Sequence, residues 1–411
     1  MADRFQAPRG TADALPADAA VRERIERTAR ELLERSGYRR IETPVFEDTE
    51  LFARGVGGST DIVRKEMFTF EDQGGRSLTL RPEATASIVR AYMEHGMHKQ
   101  PQPVKVWWYG PLFRHERPQA GRFRQFTQID AEAIGSGSPL VDGELIILLD
   151  ELLRTLEVPD LTLRLGSLGS LEARGAYRNE LIAYLRQHED ELARDVRERI
   201  DENPLRAFDS KDESTQHVMA GAPRMLDRLE GEDAEHFAAV RRLLDQAGVQ
   251  YELDGTLVRG LDYYTRTVFE FHCGRLGAQS QVAGGGRYDE LIGLLGGPST
   301  PANGWAAGVE RIVLAIEAAD EARPHDVFVA AEEPQRERAL ALVTELRRAG
   351  LRADLDLAGR SMKGQMRQAD RLGADRAVII DADGSAQLRD MRSGEQREVE
   401  LASVAEEVRA G

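Results

Sequence analysis

The chain has little of what builds covalent or metal-held scaffolds. Its one cysteine, Cys273, excludes an internal disulfide and a cysteine-built metal site. The eight histidines are scattered without ligand spacing, so no metal is expected from side chains. No apolar run approaches the roughly 20 residues that a membrane span needs. The opening MADRFQAPRGTADALP lacks a basic-then-apolar signal pattern. These absences point to a cytoplasmic protein with no membrane partner. Positive charge is also short, the net charge being −16, which at first sight argues against a nucleic-acid partner. Net charge reports solubility and steering, however, whereas binding depends on where basic residues cluster. Those present are overwhelmingly arginine. Arginine suits bidentate contacts to phosphate and carboxylate, though nucleotide composition of the gene gives the same bias. What remains is ample: 411 residues, 41% hydrophobic and 31% charged, enough for two or three domains with cores.

The stretch Val104–Gly135, VKVWWYGPLFRHERPQAGRFRQFTQIDAEAIG, reads as two strands joined by a loop at Arg117–Gly121. Alternation puts Arg122, Arg124, Phe126, Gln128, Asp130 and Glu132 on one face of the second strand. Leu112, Arg114 and Glu116 share a face of the first, and a hairpin would bring it alongside. At roughly 3.3 Å per residue, Phe126 to Glu132 spans about 20 Å, room for a nucleotide with a small molecule beyond its phosphates. A solvated outer face of a sheet fits the same pattern. Alternation alone leaves both readings open.

Along the chain, Ala17–Ser36 has helical periodicity with Gly37 as its stop, and Tyr38–Val45 reads as a short edge strand limited by Pro44. A hairpin with a Gly74–Gly75 turn precedes RPEAT at Arg81–Thr85, where Pro82 and Glu83 suit a helix's first turn. There Glu83 serves as a cap or, with Thr85, faces a ligand ammonium. A helix over Pro139–Leu156 and a strand over Leu161–Leu165 lead to a charged helical section, Ser170 to about Ala247. Strand-rich sequence resumes beyond it, so that section reads as an inserted module. Gln281–Asp289, QVAGGGRYD, reads as a glycine-rich turn and fits neither a Walker loop nor a dinucleotide fingerprint. Gly304–Ala315 runs from strand to helix, with Arg311 near the helix's positive end. After a linker at about 317–324, strands and helices alternate through an α/β domain of about ninety residues. In it Arg360, Lys363, Arg367 and Arg371 form one helical face if the helix starts near Arg360.

Together these pieces resemble the histidyl-tRNA synthetases, a family of class II aminoacyl-tRNA synthetases. FRHERPQAGRFRQFTQID looks like class II motif 2, GWAAGVERI like motif 3 and TPVFEDTELFARG like the dimer-forming motif 1. LVRGLDYYTRTVFEF and AGGGRYDELIGLLGG are particular to the histidine enzymes. The resemblance implies an α+β catalytic core on an antiparallel sheet flanked by helices, with a helical insertion, and a C-terminal α/β anticodon-binding domain. Its expected divisions are 1–169 and 251–320 for the core, 170–250 for the insertion and 326–411 for the anticodon domain.

By the same resemblance, Arg114 holds the α-phosphate and the histidine carboxylate, Glu116 reads the adenine amino group and Phe126 stacks on adenine. Arg122 and Arg311 take the outer phosphates. Glu83, Ala84, Thr85 and Gln128 surround the histidine α-amino group; Glu132 and Tyr264 grip the imidazole, with Tyr263 in the same pocket. Arg259 stabilises charge at the α-phosphate, which makes it and Arg114 the catalytic candidates. ATP as substrate, Mg2+ on its phosphates, L-histidine, tRNA(His) and a second copy of the chain are the implied partners. Gln119 would meet the tRNA acceptor end, the insertion its stem, and Arg360, Lys363, Arg367 and Arg371 the anticodon region. Departures are Gly58 where Glu is common, Ala84 where Gly is common, and Asn303 and Trp305 before motif 3, the last able to reshape pocket packing. The rivals are a silent paralogue such as the regulatory subunit of ATP phosphoribosyltransferase and an RNA-binding or sensor protein on a degenerate core. The first typically lacks the anticodon domain and the intact substrate signature, and this chain has stretches resembling both; intact Arg114, Glu132, Arg259, Tyr264 and Arg311 speak against the second.

Overall fold

A computed structural model describes residues 5–58, 60–257, 263–316 and 325–410. The chain divides into two compact units, Met1–Ala319 and Asp320–Gly411. No helix among the described residues is long and apolar enough to cross a membrane.

The first unit opens with α1 (Pro16–Arg35), which buries Val21, Ile25, Ala29, Leu32 and Leu33 along one stripe. Then come β1 (Arg39–Arg40), β2 (Phe46–Asp48), α2 (Thr49–Val56), β3 (Phe68–Glu71), β4 (Ser77–Leu80) and α3 (Thr85–Glu94). The single strand expected over Tyr38–Val45 is therefore split. Only Arg39 and Arg40 pair with the large sheet, and Phe46–Asp48 joins a separate three-stranded sheet with β3 and β4. Between them Pro44 offers no N–H, and the carbonyls of Thr43 and Pro44 accept from the Arg81 guanidinium instead of from a strand.

Next follow β5 (Val104–Phe113), β6 (Gln125–Ile134), α4 (Pro139–Thr155), β7 (Leu161–Ser167), α5 (Leu171–Gln187), α6 (Arg194–Arg197), α7 (Glu213–Ala220) and α8 (Gly231–Ala247). The unit closes with β8 (Glu252–Leu253), β9 (Thr265–Cys273), β10 (Gln281–Arg287), α9 (Leu291–Leu294), β11 (Ala302–Gly308) and α10 (Val309–Ala315). Eight strands form one sheet in the order β1-β5-β6-β11-β10-β9-β7-β8, antiparallel from β5 to β7. The expected alternation in β6 holds: Ile129, Ala131 and Ala133 enter the main hydrophobic core, and Gln128, Asp130 and Glu132 take the opposite face.

Two expectations change here. Most of QVAGGGRYD, Gln281–Arg287, is a strand and not a turn, because its glycines admit neighbouring backbone. A Cβ on Gly285 would lie 2.1 Å from the Gly304 carbonyl oxygen. The helical section also divides. Residues of α5 and α7, with the turns between Tyr177 and Met225, form their own apolar cluster, whereas Phe237, Val240 and Leu244 of α8 belong to the main core beside α4.

The second unit contains β12 (Val327–Ala331), α11 (Arg336–Arg348), β13 (Ala353–Leu355), α12 (Met362–Arg371), β14 (Arg376–Ile380), β15 (Ala386–Asp390), β16 (Gln396–Glu398) and α13 (Val404–Ala410). Its sheet order is β13-β12-β14-β15-β16, parallel across the first three strands and antiparallel beyond. β16 escaped the sequence reading because its three residues are all exposed and polar.

Candidate active site

Small side chains hollow the sheet. Register places Gly308, Ala306 and Gly304 of β11 opposite Gln128, Asp130 and Glu132 of β6, and Gly284 and Gly286 of β10 opposite Ala306 and Gly304. The polar row of β6 thus stands beside a floor of glycine and alanine. Above it lies a cavity of ≈ 660 Å³ lined by Glu83, Thr85, Arg114, Glu116, Arg122, Phe126, Gln128, Glu132, Tyr263, Tyr264 and Arg311. Eleven residues expected from sequence therefore converge on one space. That is ample for a nucleotide and an amino acid.

At one end the cavity is cationic. The Arg114 Nε donates to the Pro82 carbonyl at 2.9 Å, and its guanidinium lies 5.2 Å from the Phe126 ring centroid. Arg311 donates to the carbonyls of Gly121 and Gln281 at 3.2 and 2.5 Å. Burial, then repulsion by Arg122 and Arg114, lowers the Arg311 pKa, so this cluster gains when an anion arrives. Arg122 forms an ion pair with Glu116 at 3.3 Å, but the Glu116 Oε2 concerned has no partner in hydrogen-bond geometry. We take the pair as loose and electrostatic.

The other end holds carboxylates. Glu132 is 1% exposed, and its oxygens accept from Thr85 Oγ1 at 2.7 Å and from the Tyr288 hydroxyl at 2.5 Å. Burial pushes its carboxyl up to about 8 and prevails over the two hydrogen bonds, which lower it. A Cβ at residue 304 would stand 1.5 Å from Glu132 Oε2, so glycine there is required by the carboxylate's place. Glu83 lies just before α3, and both readings of it apply: Oε1 accepts from the Ala86 N–H at 2.9 Å as a cap, while Oε2 is buried without a partner. Tyr263 packs between Tyr264 and Tyr288, with ring centroids 4.9 and 5.6 Å away.

Several expected residues stand elsewhere. Ala84 is fully buried in an apolar cluster with Ile88 and Tyr92 and presents no methyl to the cavity. Gln119 is exposed in the 114–124 loop, where its backbone pairs with Arg122; β5 ends at Phe113, so Glu116 and Arg122 are loop residues. Trp305 borders the cavity and is buried in the main core, where register pairs it with Ala131. Arg259 lies outside the described residues. Arg360 precedes α12 and pairs with Asp356 at 2.6 Å, leaving Lys363, Arg367 and Arg371 exposed on the helix. The helix begins later than Arg360 because Ser361 is extended at its N-cap.

The sequence reading assigned no role to Tyr288 or to the buried network behind it. Asp142 of α4, fully buried, accepts from Arg287 at 2.6 Å, Asn303 at 2.6 Å and Thr267 at 2.8 Å, and bonds His236 of α8 at 2.5 Å. That network ties β9, β10 and β11 to two helices and fixes the backbone from which Tyr288 reaches Glu132. The signal available was the alternation Gly284, Gly286, Tyr288, visible only once β10 is known to be a strand. Among the described residues no three His, Cys, Asp or Glu side chains gather to hold a metal ion.

An antiparallel sheet with arginines and carboxylates at opposite ends of one trough, followed by a separate α/β unit, defines a class II aminoacyl-tRNA synthetase. The family model described as histidyl-tRNA synthetase matches residues 10–312, and that described as anticodon binding domain matches 326–411. The chain is 50% identical over 409 residues to the histidine--tRNA ligase of Rubrobacter xylanophilus, covering 96% of each. With that of Halothermothrix orenii it shares 46% over 412 residues, 98% of each. It therefore belongs to the histidyl-tRNA synthetase family. The crystal structure of apo S. aureus histidyl-tRNA synthetase superposes with a TM-score of 0.83 at 36% identity, over 98% of this chain and 100% of that one. A Bacillus halodurans structure described as an ATP phosphoribosyltransferase regulatory subunit/histidyl-tRNA synthetase shares the fold at 23% identity and a TM-score of 0.69, over 93% of this chain and 100% of that one. Fold alone does not mark the activity.

Proposed function

We propose that the protein ligates L-histidine to tRNA(His) at the expense of ATP through a histidyl-adenylate. The observation that carries this reading is the polarity of the trough, cationic at Arg114, Arg122 and Arg311 and carboxylate-lined at Glu83 and Glu132. ATP lies with adenine on Phe126 and its amino group at Glu116. Its outer phosphates meet Arg122 and Arg311, and its α-phosphate meets Arg114. Histidine extends toward Glu132, which accepts a ring N–H through a lone pair left free by Thr85 and Tyr288, while Tyr264 serves the other ring nitrogen.

A histidine carboxylate oxygen attacks the α-phosphorus, and the bond to pyrophosphate breaks. A hydroxyl of the terminal tRNA ribose then attacks the acyl carbon, loses its proton and displaces AMP. Neither step needs a protein nucleophile, so positioning and charge stabilisation by arginine suffice. Arg259 takes the charge at the α-phosphate in this reading. Mg2+ enters as part of the ATP substrate, since it keeps its waters and binds chiefly through phosphates.

For tRNA, we assign the anticodon region to Lys363, Arg367 and Arg371 of α12, with a smaller part for the paired Arg360. Gln119 faces the acceptor end, and the α5–α7 cluster grips its stem. The active form is a homodimer in the cytoplasm. Phe46 and Phe70 support the dimer: they pack edge to face at 6.0 Å on the motif 1 sheet yet remain 49% and 43% exposed. Charging of purified tRNA(His) with radiolabelled histidine tests the reading. Acceptance of another amino acid instead, or no acceptance, would refute it.

A further inference from the structure

Asp130 stands on the pocket face of β6 between Gln128 and Glu132, 1% exposed, and its Oδ1 has no hydrogen-bond partner. Such an oxygen in a folded protein calls for an explanation, because its desolvation goes uncompensated. Its strand neighbours do not supply one. Across the sheet it faces Trp108 on β5 and Ala306 on β11, and the small Ala306 leaves it open to the cavity it lines. Neither nearby arginine hydrogen-bonds that oxygen. Arg81 donates to the carbonyls of Pro111, Thr43 and Pro44 and stacks 4.5 Å from the Trp108 ring centroid, and Arg114 Nε is committed to Pro82.

A second orphan faces the same space, Glu83 Oε2. Burial first, and then the charges of Glu132 and Glu83, raise the Asp130 carboxyl well above its usual range; Arg114 and Arg81 only moderate this. Both orphan oxygens lack a hydrogen-bond donor. Thr85, meanwhile, spends its proton on Glu132.

We propose that Asp130 binds the α-ammonium of the amino-acid substrate, together with Glu83 and Gln128. The ammonium brings three N–H donors, and Glu83, Asp130 and Gln128, which all line the trough, offer a side-chain oxygen each. Glu132, saturated on one side by Thr85 and Tyr288, is left to read the imidazole. The assignment rests on the reading of this trough as the histidine site.

The test compares L-histidine with imidazolepropionate, which has the same ring and carboxylate but no amino group. Dissociation constants for both are measured by calorimetry on the full-length wild type, Asp130→Asn and Asp130→Ser. The expected result is a loss of histidine affinity of at least about tenfold in each variant, with imidazolepropionate changed less than about twofold. Retained imidazolepropionate binding shows that the pocket is intact. Equal losses for the two ligands, or no loss for either, would overturn the role of Asp130. If the wild type binds no histidine, the reading of the trough fails and this assignment falls with it, a result distinct from either of the others.

Discussion

Glu132 combines a fixed position with a displaced proton. Its carboxyl sits at about 8 because burial prevails over two hydrogen bonds, so near neutral pH the free protein holds it mostly protonated. To accept a ring N–H it must ionise. Affinity for neutral histidine therefore rises with pH from about 7 to about 9, with its midpoint near 8, and levels off above. The groups that share its field are Glu83, Asp130 and the hydroxyls of Thr85, Tyr263 and Tyr288. In Glu132→Gln the KM for histidine should rise at least about tenfold and lose most of this slope, as measured by exchange kinetics across pH. Tyr288→Phe keeps the ring packing but removes a donor to the carboxylate. It should raise the KM for histidine by about three- to tenfold and move the inflection upward. At this scale the sequence was legible where strand alternation lines residues up, as with Phe126, Gln128 and Glu132. Tyr288 was not, because it reaches the site from a glycine-rich stretch that reads as a turn.

The elements explain why the residues stand where they do. β11 brings Gly304 against Glu132, and any side chain at this position would occupy the carboxylate's place. Gly304→Ala should therefore cost about 1–3 kcal/mol of stability and raise the KM for histidine at least about tenfold, with the KM for ATP little changed. Denaturant melts and two-substrate kinetics check this. The Asp142 network acts from behind the sheet. Asp142→Ala removes the closer of the two carboxylates that pair with buried Arg287, Asp289 at 3.0 Å being the other, and should lower stability by about 3 kcal/mol in the same melts. Helix and strand periods marked α1, α4 and β7 closely. They could not mark β10, whose glycines serve close approach between strands, nor the pairing of Arg360 with Asp356 ahead of α12.

For the whole molecule, the separate C-terminal unit was legible in its alternating strands and helices, while the linker expected at about 317–324 lies outside the described residues. The exposed Phe46–Phe70 pair was not, since exposure of an edge strand cannot be read from the residues alone. If that face joins two copies, sedimentation should give about twice the 45.7 kDa of one chain. Phe70→Asp should shift it toward the monomer. The central claim, that the trough activates histidine as an adenylate, is tested most directly by exchange of radiolabelled pyrophosphate into ATP in the presence of each amino acid. The account predicts exchange dependent on histidine and preferring it by on the order of 10⁴-fold over residues that cannot satisfy Glu132. Exchange no greater with histidine than with other amino acids would contradict it.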